Sequence, residues 1–213
     1  MTWHKSLTTA VVIVLALAAL GGCGKRQPRG PLFVVFIVDR TASVSELQDE
    51  ILAYARLALD DYSKTGPIKV TVVNLNESPS VEFQKEGELY EEDVEEVLGH
   101  VKGINYDAKG TDIISAFELA QQYHGYEKIP PRAYKILCFT DGLIEGPKGH
   151  GYRQWADFDW AKMGQLGASI GIYFVDPKVR HEIETALAPV GTFFIKNKND
   201  ALDDLKNEEA RLP

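Results

Sequence analysis

The sequence predicts an α/β fold: an open, mostly parallel, doubly wound sheet with one antiparallel edge strand and helices on both faces. Two continuous apolar runs rich in β-branched residues, 32–38 and 134–139, are typical of strands buried on both faces of a parallel sheet. Between such segments, apolar residues spaced three or four apart predict amphipathic helices. After a turn signal at 76–79, Val81 and Phe83 alternate with polar residues, which predicts a short antiparallel hairpin strand.

The predicted strands and helices alternate along the chain without an internal repeat. Strands are expected at 32–38, 68–75, around 81–83, 134–139, 169–175 and 192–195, and helices at 45–62, 91–101, 111–123, 155–166, 179–188 and after Asn199. The helix at 91–101 opens with acidic residues, which complement the positive end of a helix dipole. This order of elements indicates a Rossmann-like arrangement in one domain.

Composition excludes several classes of protein. The 213 residues are 45% hydrophobic, enough for a sizeable core and too many for a disordered chain. Lys and Arg number 23 against 31 Asp and Glu, and the net charge of −8 argues against general nucleic-acid binding. The two cysteines make no disulfide framework, and there is no CxxC pair for zinc or redox chemistry.

The N-terminus is typical of an export signal. Lys5 precedes an apolar run of 11 residues at 10–20, too short for a bilayer span of roughly 20 residues. The run ends on the sequence Leu-Gly-Gly-Cys at 20–23, which resembles the lipobox of bacterial lipoproteins. That resemblance implies cleavage before Cys23 and attachment of lipid to its thiol. The alternative is an ordinary secretory signal followed by a chance cysteine.

The lipoprotein interpretation divides the chain into three parts. Residues 1–22 are the predicted signal peptide, 23–31 the lipidated cysteine with a short membrane-proximal linker, and 32–213 the folded domain. Several acyl chains supply enough buried CH₂ groups for stable anchoring. Gly24, directly after the lipidated position, implies the outer membrane of a two-membrane bacterium, and otherwise the outer face of the cell membrane.

Polar side chains follow the two most apolar strands. Asp39 comes directly after the first of them, and Asp141 follows the second after one intervening residue. Thr41 and Ser43 follow Asp39, and Thr111 lies at the start of a predicted helix. Ligands of open α/β sheets bind beyond the carboxyl ends of the strands where the strand order reverses. Two carboxylates and three hydroxyls are hard oxygen ligands, which favour Mg²⁺ or Mn²⁺, with Ca²⁺ as a further candidate.

These residues resemble the metal-ion-dependent adhesion site of the von Willebrand factor type A (VWA) domain. The family motif is Asp-x-Ser-x-Ser after the first strand, then Thr before a helix, then Asp after the fourth strand. Here the matching residues are Asp39, Thr41, Ser43, Thr111 and Asp141, with Thr41 in place of the first Ser. The resemblance covers nearly the whole mature chain. It implies a metal that accepts an Asp or Glu carboxylate from a partner protein.

Each part of this motif also has a purely structural interpretation. Ser43 begins a capping-box pattern, Thr111 is a suitable N-cap, and Asp141 with the following glycine is a turn signal. Asp112 is expected to favour the helix N-terminus or to support the site indirectly. His150, in the glycine-rich loop, is interpreted as solvated or as a partner contact, and Trp155 and Trp160 as helix packing or as partner contacts.

Enzymatic patterns are incomplete. Haloacid-dehalogenase phosphatases require a second Asp two residues after the first, where this chain has Thr41. GxxxxGK[ST] and GxSxG do not occur, and Cys138 in a buried strand is a poor nucleophile. We therefore predict a non-enzymatic, membrane-anchored, metal-dependent protein-binding module. The alternatives are a scaffold or envelope-assembly lipoprotein acting through non-metal surfaces and, less favoured, a metal-dependent hydrolase.

Overall fold

The computed structural model describes residues 30–103, 105–125, 131–144 and 153–213. The predictions for the signal peptide, the lipid at Cys23 and the partner contact at His150 lie outside these residues, as does the loop at 145–151. The first strand begins at Gly30, two residues before the predicted start of the domain.

The predicted alternation of strands and helices is confirmed. The strands are β1 Gly30–Asp39, β2 Ile68–Leu75, β3 Ser80–Gly87, β4 Pro131–Phe139, β5 Ala168–Val175 and β6 Phe193–Asn197. The α-helices are α1 Gln48–Ser63, α2 Glu91–Lys102, α3 Ile113–Gly125, α4 Trp160–Gln165, α5 Arg180–Leu187 and α6 Lys198–Lys206.

Helix α3 begins at Ile113, two residues later than predicted, and two other predicted helices contain a 3-10 turn. The helix expected from residue 45 begins with a 3-10 turn at Ser45–Leu47. The helix expected at 155–166 is divided into a 3-10 turn at Trp155–Asp157 and the short helix α4. The division occurs because the carboxylate of Asp159 caps α4, accepting a hydrogen bond from the Lys162 N–H.

The six strands form one sheet in the order β3-β2-β1-β4-β5-β6. All neighbouring pairs are parallel except β2 with β3, which confirms the antiparallel edge strand. The chain builds outward from β1 to β3 on one side and from β4 to β6 on the other. The order therefore reverses between β1 and β4, and loops leaving these two strands open a crevice at their carboxyl ends.

Side chains of β1 alternate between two cores. Phe33, Val35 and Ile37 pack with α3, α4 and α5, whereas the intervening Val34, Phe36 and Val38 pack with α1, α2 and α6. This double burial explains why the strand sequence is continuously apolar. Cys138 is fully buried in the first of these cores, as predicted.

Trp155 and Trp160 also belong to the first core, which corrects the suggestion that they contact a partner. They are 1% and 3% exposed, with their rings stacked 5.9 Å apart. Their indole N–H groups are used internally: Trp155 donates to the Gly142 carbonyl and Trp160 to the Trp155 carbonyl. The packing interpretation is the correct one for both residues.

The strand direction separates the two ends of the domain. Gly30 and Asp39 are the first and last residues of β1, so about 30 Å separates the chain entry from the crevice. None of the helices within the described ranges is both long and apolar enough to cross a membrane.

Candidate metal centre

Asp39 is a fully buried carboxylate at the carboxyl end of β1. One oxygen accepts hydrogen bonds from the Thr41 N–H at 2.9 Å and the Thr41 hydroxyl at 2.7 Å. The other accepts from the Thr140 hydroxyl at 2.7 Å. Burial nevertheless raises the pKa of Asp39 to about 6, because its effect outweighs the three hydrogen bonds, which lower the pKa. The negative charge of Asp141 makes a smaller contribution in the same direction as burial.

The hydroxyl groups of Thr41 and Ser43 lie next to this carboxylate. Thr41 Oγ1 is 2.7 Å from Asp39 Oδ1 and 3.0 Å from Ser43 Oγ, so the three side chains form a connected set. The capping alternative for Ser43 is wrong, because the N-cap position of the following turn is Val44 and the Ser43 hydroxyl contacts Thr41. The hydroxyl of Ser43 therefore faces the site and not the helix.

Asp141 joins the site from the neighbouring strand. It lies two residues beyond Phe139, the last residue of β4, and its charge acts on Asp39 across the parallel pair. The turn interpretation of Asp141 is also correct in part, since one carboxylate oxygen accepts the Leu143 N–H at 2.9 Å. Gly142 adopts φ +78°, a left-handed conformation that glycine accommodates without strain.

Thr111 approaches from the segment before α3 and is 1% exposed. Three residues earlier, Ala108 forms an isolated parallel bridge with Thr41, which places this segment beside the β1–α1 loop. The helix is capped by Asp112, whose two oxygens accept from the N–H and hydroxyl of Ser115 at 3.1 and 2.6 Å. The capping role belongs to Asp112, as expected, and not to Thr111.

Two residues around the site, Thr140 and Arg40, do not belong to the set predicted from the sequence. Thr140 donates to Asp39 and accepts the Gly142 N–H at 3.0 Å, so it connects the β1 and β4 loops. The signal for it was a hydroxyl residue between a buried strand and Asp141. Arg40, between two site residues, directs its guanidinium away from Asp39 and onto the last three carbonyl groups of α2. No pattern in the local sequence indicates that direction.

The donor set fits a hard divalent cation. The described ranges contain no cluster of three or more His, Cys, Asp and Glu side chains that could hold a metal ion. The candidate donors at this site are two carboxylates together with hydroxyl groups. Asp39 is buried, and its hydrogen bonds come from the neutral groups of Thr41 and Thr140. A buried carboxylate of this kind is costly without a compensating cation or proton. Oxygen donors of this type suit Mg²⁺ or Mn²⁺.

Comparison with solved structures establishes the class of fold. The SpRpn10 VWA domain matches with a TM-score of 0.56 and 11% identity, over 86% of this chain and 100% of the matched chain. This protein therefore has the fold of a von Willebrand factor type A domain, as the sequence motif implied. No protein-family model matches the sequence, and no curated protein matches it.

Two further solved structures with this fold are larger proteins. A pilus adhesin, SpaC from Lactobacillus rhamnosus GG, matches at TM-score 0.62 and 11% identity, over 87% of this chain. Proximal thread matrix protein 1 from the mussel byssus, in a structure with a zinc-occupied MIDAS motif, matches at 0.56 and 13% identity, over 85% of this chain. The present chain spans 31% and 48% of their respective lengths. At these identities the comparisons show the fold.

Proposed function

We propose that this protein is a divalent-cation-dependent protein-binding module of the bacterial cell envelope. The observation that carries the proposal is the Asp39 carboxylate, fully buried and hydrogen-bonded to the hydroxyl groups of Thr41 and Thr140 at the point where the strand order reverses. Asp39, Thr41, Ser43, Thr111 and Asp141 would hold Mg²⁺ or Mn²⁺. When bound, the cation supplies a Lewis-acidic position for an Asp or Glu carboxylate of a partner protein.

The chain's own residues prepare this position. Thr140 and Thr41 hold the two oxygens of Asp39 in place, so the carboxylate does not need to reorient to meet a cation. Asp141 adds a second negative charge close enough to raise the pKa of Asp39. Mutual repulsion between the two carboxylates favours occupation by a cation, because a bound cation relieves it.

A binding role agrees with the kinds of protein that share the fold. One solved match is described as a pilus adhesin and another as a thread matrix protein with an occupied MIDAS motif. Cys138, the only cysteine in the described ranges, is fully buried in the core and so does not serve as a nucleophile in this conformation. We therefore propose recognition of a partner, with no reaction catalysed.

The membrane anchor is proposed at Cys23. Because Gly30 begins β1 and Asp39 ends it, a lipid seven residues before Gly30 would lie near the edge of the sheet opposite the metal site. The site would then face away from the membrane, where a partner can reach it. Metabolic labelling with an alkyne fatty acid tests this: wild type should be labelled and Cys23→Ser should not. Labelling of both would exclude Cys23 as the acceptor.

Calorimetry on the full chain in detergent tests the metal site. Mg²⁺ and Mn²⁺ are each titrated into wild type, Asp39→Asn and Asp141→Ala, with Asp60→Asn as a matched control. Asp60 lies in the last turn of α1, which by its direction is at the opposite edge of the sheet. Binding should be present in wild type and the control and lost in the two site variants. No binding by wild type, or equal binding by Asp39→Asn, would refute the proposal.

The scaffold alternative makes a different prediction. Trp155 and Trp160, which the sequence offered as partner contacts, are both buried and do not supply a surface for it. A partner that binds through other surfaces would be captured equally in EDTA and in Mg²⁺, whereas the metal-dependent interaction should be lost in EDTA and restored by Mg²⁺ or Mn²⁺.

A further inference from the structure

Arg40 is a buried cation inside the candidate metal loop, between Asp39 and Thr41. It is 5% exposed, and its guanidinium lies at the C-terminal end of α2. There Nη2 donates to the His100 carbonyl at 2.9 Å, and Nη1 donates to the carbonyls of Val101 and Lys102 at 2.9 and 3.1 Å. Three carbonyl groups at the negative end of a helix dipole are a favourable environment for a positive charge.

The same residue is attached to two further segments. Its Nε donates to Asn74 Oδ1 at 2.8 Å, at the end of β2. Its backbone N–H donates to the Leu75 carbonyl at 2.9 Å, and its carbonyl accepts the Ala108 N–H at 3.2 Å. Arg40 therefore connects the metal loop to β2, to the end of α2 and to the segment that leads to Thr111.

The structure leaves little freedom around this guanidinium. Gly103, directly after α2, has φ +62°, and a Cβ atom there would lie 2.6 Å from the Arg40 guanidinium carbon. On the other side the guanidinium carbon lies 5.4 Å from the centre of the Tyr106 ring, a cation–π contact. A guanidinium held in this way is not free to form a hydrogen-bonded ion pair with Asp39, although the two residues are adjacent in sequence.

This placement has an electrostatic consequence. An arginine that turned toward Asp39 would form an ion pair with it and compete directly with a metal ion. Because the α2 carbonyls take up the guanidinium hydrogen bonds, Asp39 remains without an ion pair from this neighbour. The backbone between Asp39 and Thr41 is fixed at the same time, which keeps their side chains aligned.

We infer that Arg40 is a positioning residue: by binding the α2 C-terminus and Asn74 it holds the Asp39–Ser43 loop in its cation-accepting shape and keeps its guanidinium from forming an ion pair with Asp39. This inference rests on the proposed function for the metal, but its effect on loop order does not depend on metal. Arg40→Lys removes the planar fork that spans the three carbonyls while keeping the charge. Asn74→Ala removes one anchor and leaves Arg40 in place.

The test uses the full chain in detergent and two readouts. The first is hydrogen exchange in EDTA, where amides at 41–47 should exchange about tenfold or more faster in Arg40→Lys, while the centre of β1 stays protected. The second is Mn²⁺ affinity by calorimetry, which should fall roughly 10–100-fold in Arg40→Lys, as for residues that orient metal ligands. Asn74→Ala should move both readouts in the same direction by less.

Arg56→Ala is the matched control. Like Arg40, Arg56 is an arginine that contacts α2. It extends from α1 to Glu91, at 3.2 Å, and to Glu95, on the exposed surface away from the metal loop. Its removal should leave exchange at 41–47 and Mn²⁺ affinity unchanged. The Asn74→Ala variant keeps the inference testable if Arg40→Lys does not fold.

The outcomes separate the two proposals. If folded Arg40→Lys and Asn74→Ala keep wild-type loop exchange and wild-type Mn²⁺ affinity, Arg40 is not a positioning residue and the metal site stands. If wild type binds no Mn²⁺, the proposed function fails. Loop exchange still decides whether Arg40 orders the loop in that case: faster exchange in the variants supports the ordering role, and unchanged exchange overturns it.

Discussion

The buried carboxylate of Asp39 should make the metal-free protein less stable at neutral pH than in mild acid. In the folded chain, burial raises its pKa to about 6, from an ordinary value of 3.8. At a pH between these two pKa values, the carboxyl group of Asp39 has released its proton in the unfolded chain and retains it in the folded chain. The unfolded state then binds fewer protons, so the free energy of unfolding falls as pH rises.

The magnitude follows from the two pKa values. At 1.36 kcal/mol for each pH unit, the interval from 3.8 to about 6 corresponds to a loss of about 3 kcal/mol. The stabilising contribution is fully present below pH 3.8 and is lost as pH rises through about 6. A domain stability of about 5–15 kcal/mol makes such a change readily measurable.

Urea denaturation in EDTA, from about pH 4 to about pH 8, measures this dependence on wild type and Asp39→Asn. The amide still offers one oxygen to Thr41 but presents an N–H to Thr140, so the variant differs in absolute stability. That difference does not depend on pH, whereas the titration of Asp39 does. Subtracting the two pH profiles therefore isolates Asp39 from all other titrating groups.

The expected difference profile declines by about 2 kcal/mol between pH 4 and pH 6, since part of the full change lies outside this interval, and is flat above about pH 7. Identical pH profiles for wild type and Asp39→Asn would refute the reasoning, because they would show that the carboxyl titrates alike in the folded and unfolded chains. Adding Mg²⁺ at pH 7 should restore stability to wild type only, by about 2.7 kcal/mol at a hundredfold excess over Kd.

Two further predictions concern the core. Trp155→Ala removes a fully buried indole and its hydrogen bond to Gly142, so urea denaturation should show a loss of about 3–5 kcal/mol. Tyr90 is 66% exposed, so the control variant Tyr90→Ala should change stability by less than about 0.5 kcal/mol. Comparable losses of stability in the two variants would contradict the burial of Trp155. Burial and the nearby charge of Asp39 raise the pKa of the Cys138 thiol well above its usual value. Intact mass should show Cys138 alkylated by iodoacetamide only after denaturation, and rapid labelling of the native protein would be inconsistent with a buried thiol.

The strands adjoining the site were predictable because double burial leaves a distinct pattern. β1 and β4 are continuously apolar since both faces are covered, and β3 alternates because it lies at the sheet edge with its side chains exposed or half-buried. The division of the helix at 155–166 was missed although Asp159 is a suitable N-cap residue, because apolar residues continue on both sides of the break. Trp155 and Trp160 have the same spacing whether they face a core or a partner.

The site was predictable as a set of residue types but not as an arrangement. Asp39, Thr41 and Ser43 are close in sequence, so their contact follows from one short loop. Thr140 contacts Asp39 across 101 residues of chain, and that contact exists only because β4 pairs with β1. The residues next to Arg40 in the sequence do not determine whether its side chain turns toward Asp39 or toward α2.

By itself the sequence determined the fold class, the two buried strands that end in aspartates, and the oxygen-rich motif that implies a VWA-like cation site. These follow from local periodicity and residue chemistry, which act over a few residues. Only the tertiary structure decided which strands are neighbours, which hydroxyls hold Asp39, and where the Arg40 charge lies. Those features depend on burial and on hydrogen bonds between distant segments, since the electrostatic environment of a side chain is set by the elements that pack around it.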